Sequence, residues 1–400
     1  MVFKIVTLGC KLNFAESSAL GKVLLDRGHR RAKPGEEADL CIVNTCSVTD
    51  TADHKDRQAI HRIKRENPHA RVIVTGCYAR LKPDEIARMA EVDHVVPKRE
   101  DVFQHAWSKD DRTRCFLKVQ DGCDYFCTYC TIPFARGRSR NPRIADVVAQ
   151  AREALASGAK EIVLTGVNIG DFGKSTGETF IDLLRALDAL EDAMQPDGLP
   201  AYRVRISSCE PNLLSDEVID FVAASRHFAP HFHIPLQSGS NEVLRIMHRR
   251  YTRELFKERV EHILSVMPNA FIGVDCMVGV RGETNEYWED YLRFISALPV
   301  AQLHVFTYSE RANTRMLKMD LEVIPTRERE RRSKLLHAVS QMKIEAFYHA
   351  HRGEEAVVLW ESSQKTVDGQ RLMYGFTENY IKVSAPYDKL KTNTFEKIIL

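Results

Sequence analysis

The chain has 400 residues, of which 44% are hydrophobic and 28% are charged, and its formal net charge is +2. This composition excludes a mostly disordered chain, a collagen-like repeat and a small disulfide-stapled scaffold. The length corresponds to about two or three domains. Apolar runs such as 72–74 and 162–164 are strand-sized, whereas a membrane helix needs roughly 20 apolar residues.

The N-terminus runs directly into an apolar strand pattern and lacks the apolar segment and cleavage site of a signal peptide. We therefore expect a cytoplasmic protein without a membrane segment. In that reducing compartment, the ten cysteines are expected to be core residues, metal ligands or reactive thiols rather than disulfides.

The first third of the chain alternates strand and helix patterns, which favours a parallel α/β sheet. Strands are predicted at 3–8, 40–43 and 71–75, and helices at 14–27, 52–66 and 82–89. The polar stretch 108–114 is predicted to be a linker. These patterns indicate an N-terminal domain at residues 1–107.

The middle of the chain repeats the same alternation at a larger scale. Six strands are predicted at 115–119, 161–164, 203–206, 231–234, 271–276 and 302–306, with helical patterns between them such as 144–156 and 180–190. Six such units favour an open, partial (β/α)6 barrel over a complete eightfold one. We assign residues 108–350 to this domain, which ends in a long polar helix at 326–351.

The pattern after residue 353 changes to short strands, predicted at 355–360, 370–376 and 379–383. Short strands separated by Gly, Asn and Pro are typical of a small β-barrel, here at residues 351–400. The predicted fold class is therefore α/β, with an N-terminal parallel-sheet domain, a central partial barrel and a small C-terminal β-barrel.

Three cysteines directly follow the first predicted barrel strand in a C-x3-C-x2-C pattern: Cys123, Cys127 and Cys130. Loops at the carboxyl ends of barrel strands form the active sites of such folds. Three soft thiolates in one loop suit zinc or an iron–sulfur cluster. No nearby Cys or His completes a paired zinc spacing, whereas a 4Fe–4S cluster on three thiolates leaves one iron open.

Three further cysteines, Cys10, Cys46 and Cys77, are distant in sequence, but each lies just past a predicted strand of the first domain. Because the carboxyl ends of parallel strands share the edge where ligands bind, we expect these thiols to converge. Gly9 and Gly76 precede two of them and allow the backbone to approach a bulky group. The remaining cysteines are expected to be core residues: Cys41, Cys115, Cys209 and Cys276.

The C-x3-C-x2-C loop, with Tyr125 and Tyr129 between its cysteines, resembles the radical S-adenosylmethionine (radical SAM) superfamily. With Cys10, Cys46 and Cys77 added, nearly the whole chain is similar to the radical SAM methylthiotransferases. The resemblance implies two 4Fe–4S clusters, one on each cysteine triad, and a C-terminal barrel of the TRAM type. It also implies that a first SAM supplies the methyl group of a methylthio group and a second SAM yields a 5′-deoxyadenosyl radical.

The same resemblance implies that residues after the barrel strands contact SAM: Tyr129, Thr165, Gly166, Asn168, Glu210 and Gln237. A plain loop at 165–171 and a helix-capping role for Glu210 are the competing interpretations. After the fifth barrel strand, many relatives carry Phe-Pro-Gly-Glu-Thr, whereas this chain has Val280-Arg281-Gly282 before Glu283 and Thr284. This departure affects the expected turn and its contacts.

Four arginines follow the cluster loop without an acidic residue among them, a pattern typical of a phosphate-binding surface: Arg136, Arg138, Arg140 and Arg143. In the C-terminal domain, Tyr374, Phe376 and Tyr380 are expected to be exposed and to stack on bases. These features favour tRNA as the partner. Further expectations are a flavodoxin or ferredoxin as reductant and a monomeric state.

The runs 8–13 and 132–140 resemble the subgroup that methylthiolates carbon 2 of N6-threonylcarbamoyladenosine beside the anticodon of tRNA. Arg136 or Arg138 is the expected reader of the threonylcarbamoyl carboxylate. The alternatives are isopentenyladenosine in tRNA, an aspartate of a ribosomal protein, another radical SAM reaction such as methylation, and a non-catalytic iron–sulfur protein that binds RNA.

Overall fold

The computed structural model describes residues 1–97, 107–108, 113–190 and 198–400. Residues 109–112 of the predicted linker lie outside the described residues. No helix in these ranges combines the length and the apolar character that a membrane crossing requires.

The first part of the chain folds into a parallel five-stranded sheet with the strand order β2-β1-β3-β4-β5. Its elements are β1 (Val2–Thr7), α1 (Lys11–Asp26), β2 (Arg30–Arg31), β3 (Leu40–Thr45), α2 (Asp50–Glu66), β4 (Arg71–Gly76), α3 (Cys77–Leu81), α4 (Pro83–Ala87) and β5 (His94–Val96). The central strand β3 is buried along its whole length, as expected of a parallel strand covered on both faces. The three predicted strands are therefore the neighbours β1, β3 and β4.

The central part of the chain contains the six predicted barrel strands, which follow one another in sequence order and are parallel. Its first half consists of β6 (Trp107–Ser108), β7 (Arg114–Lys118), α5 (Ile132–Arg136), α6 (Ile144–Ala156), β8 (Glu161–Thr165), α7 (Phe180–Asp188), β9 (Arg203–Ile206) and α8 (Asp216–Ala224). Its second half consists of β10 (His231–Gln237), α9 (Asn241–Ile246), α10 (Arg253–Val266), β11 (Phe271–Val278), α11 (Asn285–Ala297), β12 (Gln302–Thr307) and α12 (Thr326–Ala350).

The barrel strands form two sheets, β6-β7-β8-β9 and β10-β11-β12, in which β6 is antiparallel to β7. Isolated parallel bridges, Val204 to Phe228 and Ser208 to His233, connect the two sheets. Alternate residues of β7 point to opposite sides, since Cys115 and Leu117 join the large core while Phe116 packs against Phe14 and Ala15 of α1. The first helix of the N-terminal domain thus packs against the inner face of the barrel.

The C-terminal residues form an antiparallel sheet with the order β15-β14-β13-β16. Its strands are β13 (Glu355–Val367), β14 (Gln370–Phe376), β15 (Lys382–Pro386) and β16 (Phe395–Ile399). The strand predicted at 379–383 begins only at Lys382 because Tyr380 adopts a positive φ of 67° in a turn closed by Thr377 N donating to Ile381 O.

This sheet is attached to the amino ends of the barrel strands. Glu161 lies between Arg203 and Arg205, with N–O distances of 2.6 and 3.1 Å, and all three side chains are buried. The arginines also donate to four carbonyl oxygens of the C-terminal sheet and its turn, those of residues 357, 376, 377 and 378. A single buried carboxylate therefore orients both guanidinium groups for docking.

The aromatic residues expected to stack on bases take part in the same attachment. Phe376 and Tyr380 stack on each other at 4.8 Å, and the Arg114 guanidinium lies 4.6 Å from the Phe376 ring centre and donates to the Tyr380 hydroxyl at 3.0 Å. Phe376 and Tyr380 therefore pack against Arg114 of the barrel, which is placed over one ring and hydrogen-bonded to the other. Tyr374 is half-buried, with Lys382 over its ring at 4.5 Å.

Replacing Glu161 by Gln should lower the free energy of unfolding by about 3 kcal/mol or more, because it leaves two buried guanidinium charges without compensation. Glu217→Gln is the matched control, since the Glu217–Arg185 pair is exposed and is worth no more than about 1 kcal/mol. Urea unfolding of the three proteins tests this prediction, and equal losses in both variants would contradict it.

Candidate functional site

The three cysteines of the N-terminal domain lie at one edge of its sheet. Cys10 precedes the first turn of α1, Cys46 follows β3, and Cys77 begins α3. The loops approach so closely that a Cβ atom on Gly9 would lie 2.6 Å from the Cβ of Cys46. Gly76, with a φ of 98°, is equally confined, because its Cβ would lie 2.4 Å from the Thr45 carbonyl oxygen. Glycine at both positions therefore allows the three loops to meet.

The chemistry of these thiols fits a metal cluster. Cys46 and Cys77 are buried, and burial raises the pKa of Cys46 to about 11 and that of Cys77 to about 12. At neutral pH such thiols stay protonated unless a positive centre stabilises the thiolates, which a bound metal provides. We name Cys10, Cys46 and Cys77 the N-terminal triad.

The second group of cysteines, Cys123, Cys127 and Cys130, lies between β7 and α5 and is named the loop triad. Each sulfur accepts a hydrogen bond: Cys123 from Tyr125 N at 3.4 Å, Cys130 from Ile132 N at 3.4 Å, and Cys127 from Arg249 Nη1 at 3.1 Å. Hydrogen bonds to sulfur ligands tune iron–sulfur clusters. Burial raises the pKa of Cys123 and Cys130 to about 12, so these thiolates also need a cationic centre.

Unsatisfied polar atoms lie at the carboxyl ends of four barrel strands. They are the side-chain atoms Asn168 Nδ2, Ser207 Oγ, Gln237 Oε1 and Tyr308 OH, which are buried without a hydrogen-bond partner. Gln237 ends β10, and the other three residues follow β8, β9 and β12. A buried polar atom without a partner is costly, so these four positions fit a polar ligand such as SAM, with its amino, carboxylate and hydroxyl groups.

The carboxylate of Glu210 is paired with Arg249, a residue that the sequence analysis missed. Arg249 donates to the Glu210 carboxylate, to the Cys127 sulfur and, through Nε at 3.0 Å, to the Tyr251 hydroxyl. Tyr129 also contacts Arg249, with 3.5 Å between its hydroxyl and Nη1. In the sequence, Arg249 stands next to Arg250, a pattern typical of a charged surface. The structure buries the Arg249 side chain, which is only 4% exposed, directly after a left-handed turn at His248, where φ is 59°.

Gln120, which the sequence patterns also did not indicate, links the loop after β8 to the start of the loop that carries the loop triad. Its Oε1 accepts from Val167 N at 2.8 Å and Asn168 N at 3.0 Å, and its Nε2 donates to Gly122 O at 2.8 Å. A Cβ on Gly166 would lie 2.9 Å from that Oε1, so glycine allows this contact. The hydroxyl of Thr165 donates to Val163 O at 3.0 Å within the strand.

The four arginines after the loop triad do not form one surface. Arg138 and Arg143 are exposed and Arg140 is partly exposed, but Arg136 is buried with only 6% of its surface accessible. Its guanidinium binds Asn13, Glu16 and Asp121. Arg136 therefore faces the domain boundary and not an RNA phosphate or a threonylcarbamoyl carboxylate, in contrast to the expectation from sequence.

The loops of the two triads contact each other across the domain boundary. Thr131, beside Cys130, donates to the carbonyl oxygen of Ser47, beside Cys46, at 3.4 Å. The buried Arg311 donates to the Ser47 hydroxyl at 2.7 Å and to Asp53 at 2.9 Å. A cavity opens next to this contact and is lined by both domains, including Val48, Tyr129, Cys130, Gln237, Met277 and Phe306.

The turn after β11 is held by hydrogen bonds of Glu283 and Thr284, although the sequence at 280–282 departs from the family pattern. The Glu283 carboxylate accepts from Gly279 N at 2.7 Å and from Arg332 of α12 at 2.8 Å. Thr284 caps α11 by accepting from Tyr287 N. This turn therefore connects the barrel mouth to the long helix.

The turn predicts a pH dependence of stability. Burial raises the pKa of Glu283 to about 7, compared with about 4.3 for an unfolded glutamate. Between these values the folded state holds a proton that the unfolded state releases, so this group destabilises the fold as pH rises. Urea midpoints from pH 5 to 8 should show that the stability of the native protein relative to Glu283→Gln falls through this window. Parallel pH profiles would contradict the prediction.

Comparison with known proteins identifies the class of this fold and site. A family model described as "Uncharacterized protein family UPF0004" matches residues 2–97, and one described as "Radical SAM superfamily" matches residues 117–295. Among solved structures, the radical SAM methyltransferase TsrM from Kitasatospora setae superposes with a TM-score of 0.53 at 16% identity. That match covers 76% of this chain and 74% of TsrM. The central domain thus has the radical SAM fold.

Full-length relatives define the family more narrowly. The threonylcarbamoyladenosine tRNA methylthiotransferase MtaB of Bacillus subtilis is 35% identical, covering 94% of this chain and 88% of the relative. The tRNA-2-methylthio-N(6)-dimethylallyladenosine synthase of Desulfitobacterium hafniense is 30% identical, covering 99% and 94%. The chain belongs to the radical SAM methylthiotransferase family.

The radical SAM superfamily implies a 4Fe–4S cluster and SAM, and the donor set described above fits both. Among the described residues, no three His, Cys, Asp or Glu side chains form a group that could hold a single metal ion.

Arg249→Met should weaken SAM binding about 10-fold or more, because Glu210 loses its buried cation and a charge-assisted bond is worth about 1.5–3 kcal/mol. Arg250→Met is the matched control, since Arg250 lies over the Tyr125 ring and donates to the carbonyl oxygen of Asp124 at the surface. Equilibrium dialysis of SAM against the cluster-loaded proteins measures the effect. A dissociation constant equal to that of the native protein would remove Arg249 from the site.

Proposed function

We propose that this chain adds a methylthio group to carbon 2 of N6-threonylcarbamoyladenosine next to the anticodon of tRNA. The observation that carries this proposal is the contact between the loops of two cysteine triads, one in each domain. The substrate rests on the relatives, because five MtaB proteins with 32–35% identity each cover 94–96% of this chain.

The target carbon explains why radical chemistry is needed. Carbon 2 of adenine carries a hydrogen and no leaving group, so a polar substitution would have to expel hydride. In our proposal, the loop triad holds the cluster that supplies, with SAM, the hydrogen-abstracting radical. Glu210 and Arg249 orient the polar groups of SAM, while Asn168, Ser207 and Gln237 offer it unsatisfied hydrogen-bonding atoms.

The N-terminal triad is assigned to a second 4Fe–4S cluster that carries the sulfur to be transferred. Three thiols around one iron–sulfur cluster leave one iron without a protein ligand, and that open position suits a methylthio group. Two of the three thiols, Cys46 and Cys77, are buried, whereas Cys10 is exposed.

The cavity between the domains is the proposed site of the target base. Its mostly apolar lining, with Tyr129, Met277 and Phe306, suits an adenine ring that has left the anticodon stack, at a cost of a few kcal/mol. Arg138, whose guanidinium lies 4.9 Å from the Phe126 ring centre, stays a candidate for reading the threonylcarbamoyl carboxylate. Arg140 and Arg143 are assigned to phosphate contacts, and a flavodoxin or ferredoxin to electron supply.

The second candidate is methylthiolation of isopentenyl-type adenosine in tRNA. A specific observation favours it, because three relatives named tRNA-2-methylthio-N(6)-dimethylallyladenosine synthase are 30–31% identical over 80–99% of this chain. A basic side chain in contact with the bound base would favour the first substrate, since only the threonylcarbamoyl group carries a carboxylate.

The test uses anaerobically reconstituted protein with reductant, SAM and tRNA carrying N6-threonylcarbamoyladenosine, followed by mass analysis of the nucleosides. We expect the mass of one methylthio group to be added to that nucleoside. Iron should amount to about eight atoms per chain and fall to about four in Cys127→Ala or Cys46→Ala, since each triad holds one four-iron cluster. Cys276→Ala is the matched control, because Cys276 is a buried core residue.

The outcomes separate the alternatives. Methylthiolation of only the isopentenyl-type tRNA would replace the proposed substrate by the second candidate. Cleavage of SAM without modification of either tRNA would direct the search to a ribosomal protein. Full iron content without SAM cleavage would favour the non-catalytic iron–sulfur protein.

A further inference from the structure

A single buried guanidinium joins the two cluster-binding loops. Arg136 Nη2 donates to Asn13 Oδ1 at 2.5 Å, and its Nη1 donates to Glu16 at 2.8 Å and to Asp121 at 3.0 Å. Asn13 and Glu16 lie on α1 just after Cys10, whereas Asp121 lies just before Cys123. Arg136 itself ends the short helix that follows Cys130.

Asn13 extends this connection to the neighbouring strand of the N-terminal sheet. Its Nδ2 donates to Leu8 O at 2.7 Å and to Thr45 O at 2.9 Å, the carbonyl groups that precede the loops of Cys10 and Cys46. Arg136 donates to the oxygen of the Asn13 amide and therefore fixes the orientation of this amide. The amide orientation in turn fixes the spacing of the two loops.

A second buried cation, Lys118, joins this network and keeps its two carboxylates ionised. Lys118 donates to Glu16 at 2.6 Å and to Asp121 at 3.0 Å. Lys118, Asp121 and Arg136 are at most 6% exposed. Although burial opposes ionisation, Lys118 and Arg136 lower the pKa of Glu16 to about 2. Arg140, which is 39% exposed, also donates to Asp121 at 3.2 Å, so the two carboxylates face two buried cations and a third, partly exposed one.

Arg136 also lies beside the N-terminal triad, because it lines one cavity together with Gly76, Cys77 and Glu16. Its positive charge therefore acts electrostatically on a group held by Cys77. In a buried site, such an interaction is weakly screened. A charge that is fixed by three hydrogen bonds acts there on whatever the triad binds.

We propose that Arg136 is the positioning residue that aligns the N-terminal triad with the loop triad and raises the reduction potential of the cluster on the N-terminal triad. The proposal rests on the proposed function in one respect, the assignment of a cluster to that triad. Reduction adds one electron and hence one negative charge to the cluster, so a fixed cation beside it favours the reduced state.

The potential is measured in a full-length protein whose loop triad is replaced by alanine, so that only the N-terminal triad holds iron. An electron-paramagnetic-resonance redox titration compares Arg136, Arg136→Gln and Arg136→Lys in this background. We expect a lower midpoint potential in Arg136→Gln and a value near the native one in Arg136→Lys. Arg138→Gln is the matched control, since Arg138 is exposed and should leave the potential unchanged.

The positioning role is measured in proteins with both triads intact. Both Arg136 variants should form less methylthiolated nucleoside per 5′-deoxyadenosine released, because Lys restores the charge but not the three hydrogen bonds. Arg138→Gln is a control for the potential measurement only. It is not a control for the product ratio, because Arg138 is a candidate for contacting the substrate.

Poor folding of Arg136→Gln does not prevent the test. The double variant Arg136→Gln with Glu16→Gln removes one buried charge of each sign and therefore leaves the net charge of the network unchanged. Because the lost carboxylate partly offsets the lost cation beside Cys77, the potential should lie between those of the native protein and Arg136→Gln.

The outcomes distinguish this inference from the proposed function. If the loop-triad variant binds no iron, the assignment of a second cluster fails together with this inference. If it binds about four iron atoms but Arg136→Gln and the double variant have the native potential, the electrostatic role is overturned while the proposed function stands. An unchanged product ratio in both Arg136 variants overturns the positioning role.

Discussion

Buried pairing of arginine with carboxylates and carbonyl groups across domain boundaries is the interaction on which the arrangement of this protein depends. Arg136 and Arg311 extend from the barrel to the N-terminal domain, and Arg203 and Arg205 extend to the C-terminal sheet. Each of these side chains is at most 6% exposed. A guanidinium suits this task because its fixed fork of donors satisfies several acceptors at once and keeps its charge when buried.

These pairs also place the chemistry. Arg136 and Arg311 both bind residues next to the N-terminal triad, Arg136 those after Cys10 and Arg311 Ser47, beside Cys46. The cavity for the proposed substrate lies between the same two domains. The geometry of this site therefore depends on interdomain bonds as much as on the loops that carry the cysteines.

Local sequence patterns located β1, β3, β4, the six parallel barrel strands and most helices, and they grouped the cysteines into two sets of three. Apolar periodicity locates buried strands, and in a parallel sheet the end of each strand is also its place on a shared edge, which is why Cys10, Cys46 and Cys77 could be grouped. The partners of buried charges are not visible in this way. Arg136 and Arg138 look alike in sequence, yet one is buried against Glu16 and Asp121 while the other is exposed. Phe376 was misjudged for the same reason, since its partner Arg114 is distant in the chain.

The attachment of the C-terminal sheet to the amino ends of the barrel strands has a consequence for the size of any ligand that touches both ends. The cysteine loops lie at the opposite ends of these strands, and the strands at the attachment, β7, β8 and β9, have four or five residues and are roughly 13–17 Å long. A molecule held in the mouth therefore reaches the C-terminal sheet only by running along the outside of the barrel. A single nucleoside is too short for this span, whereas a folded nucleic acid whose arm continues beyond its reacting loop is long enough.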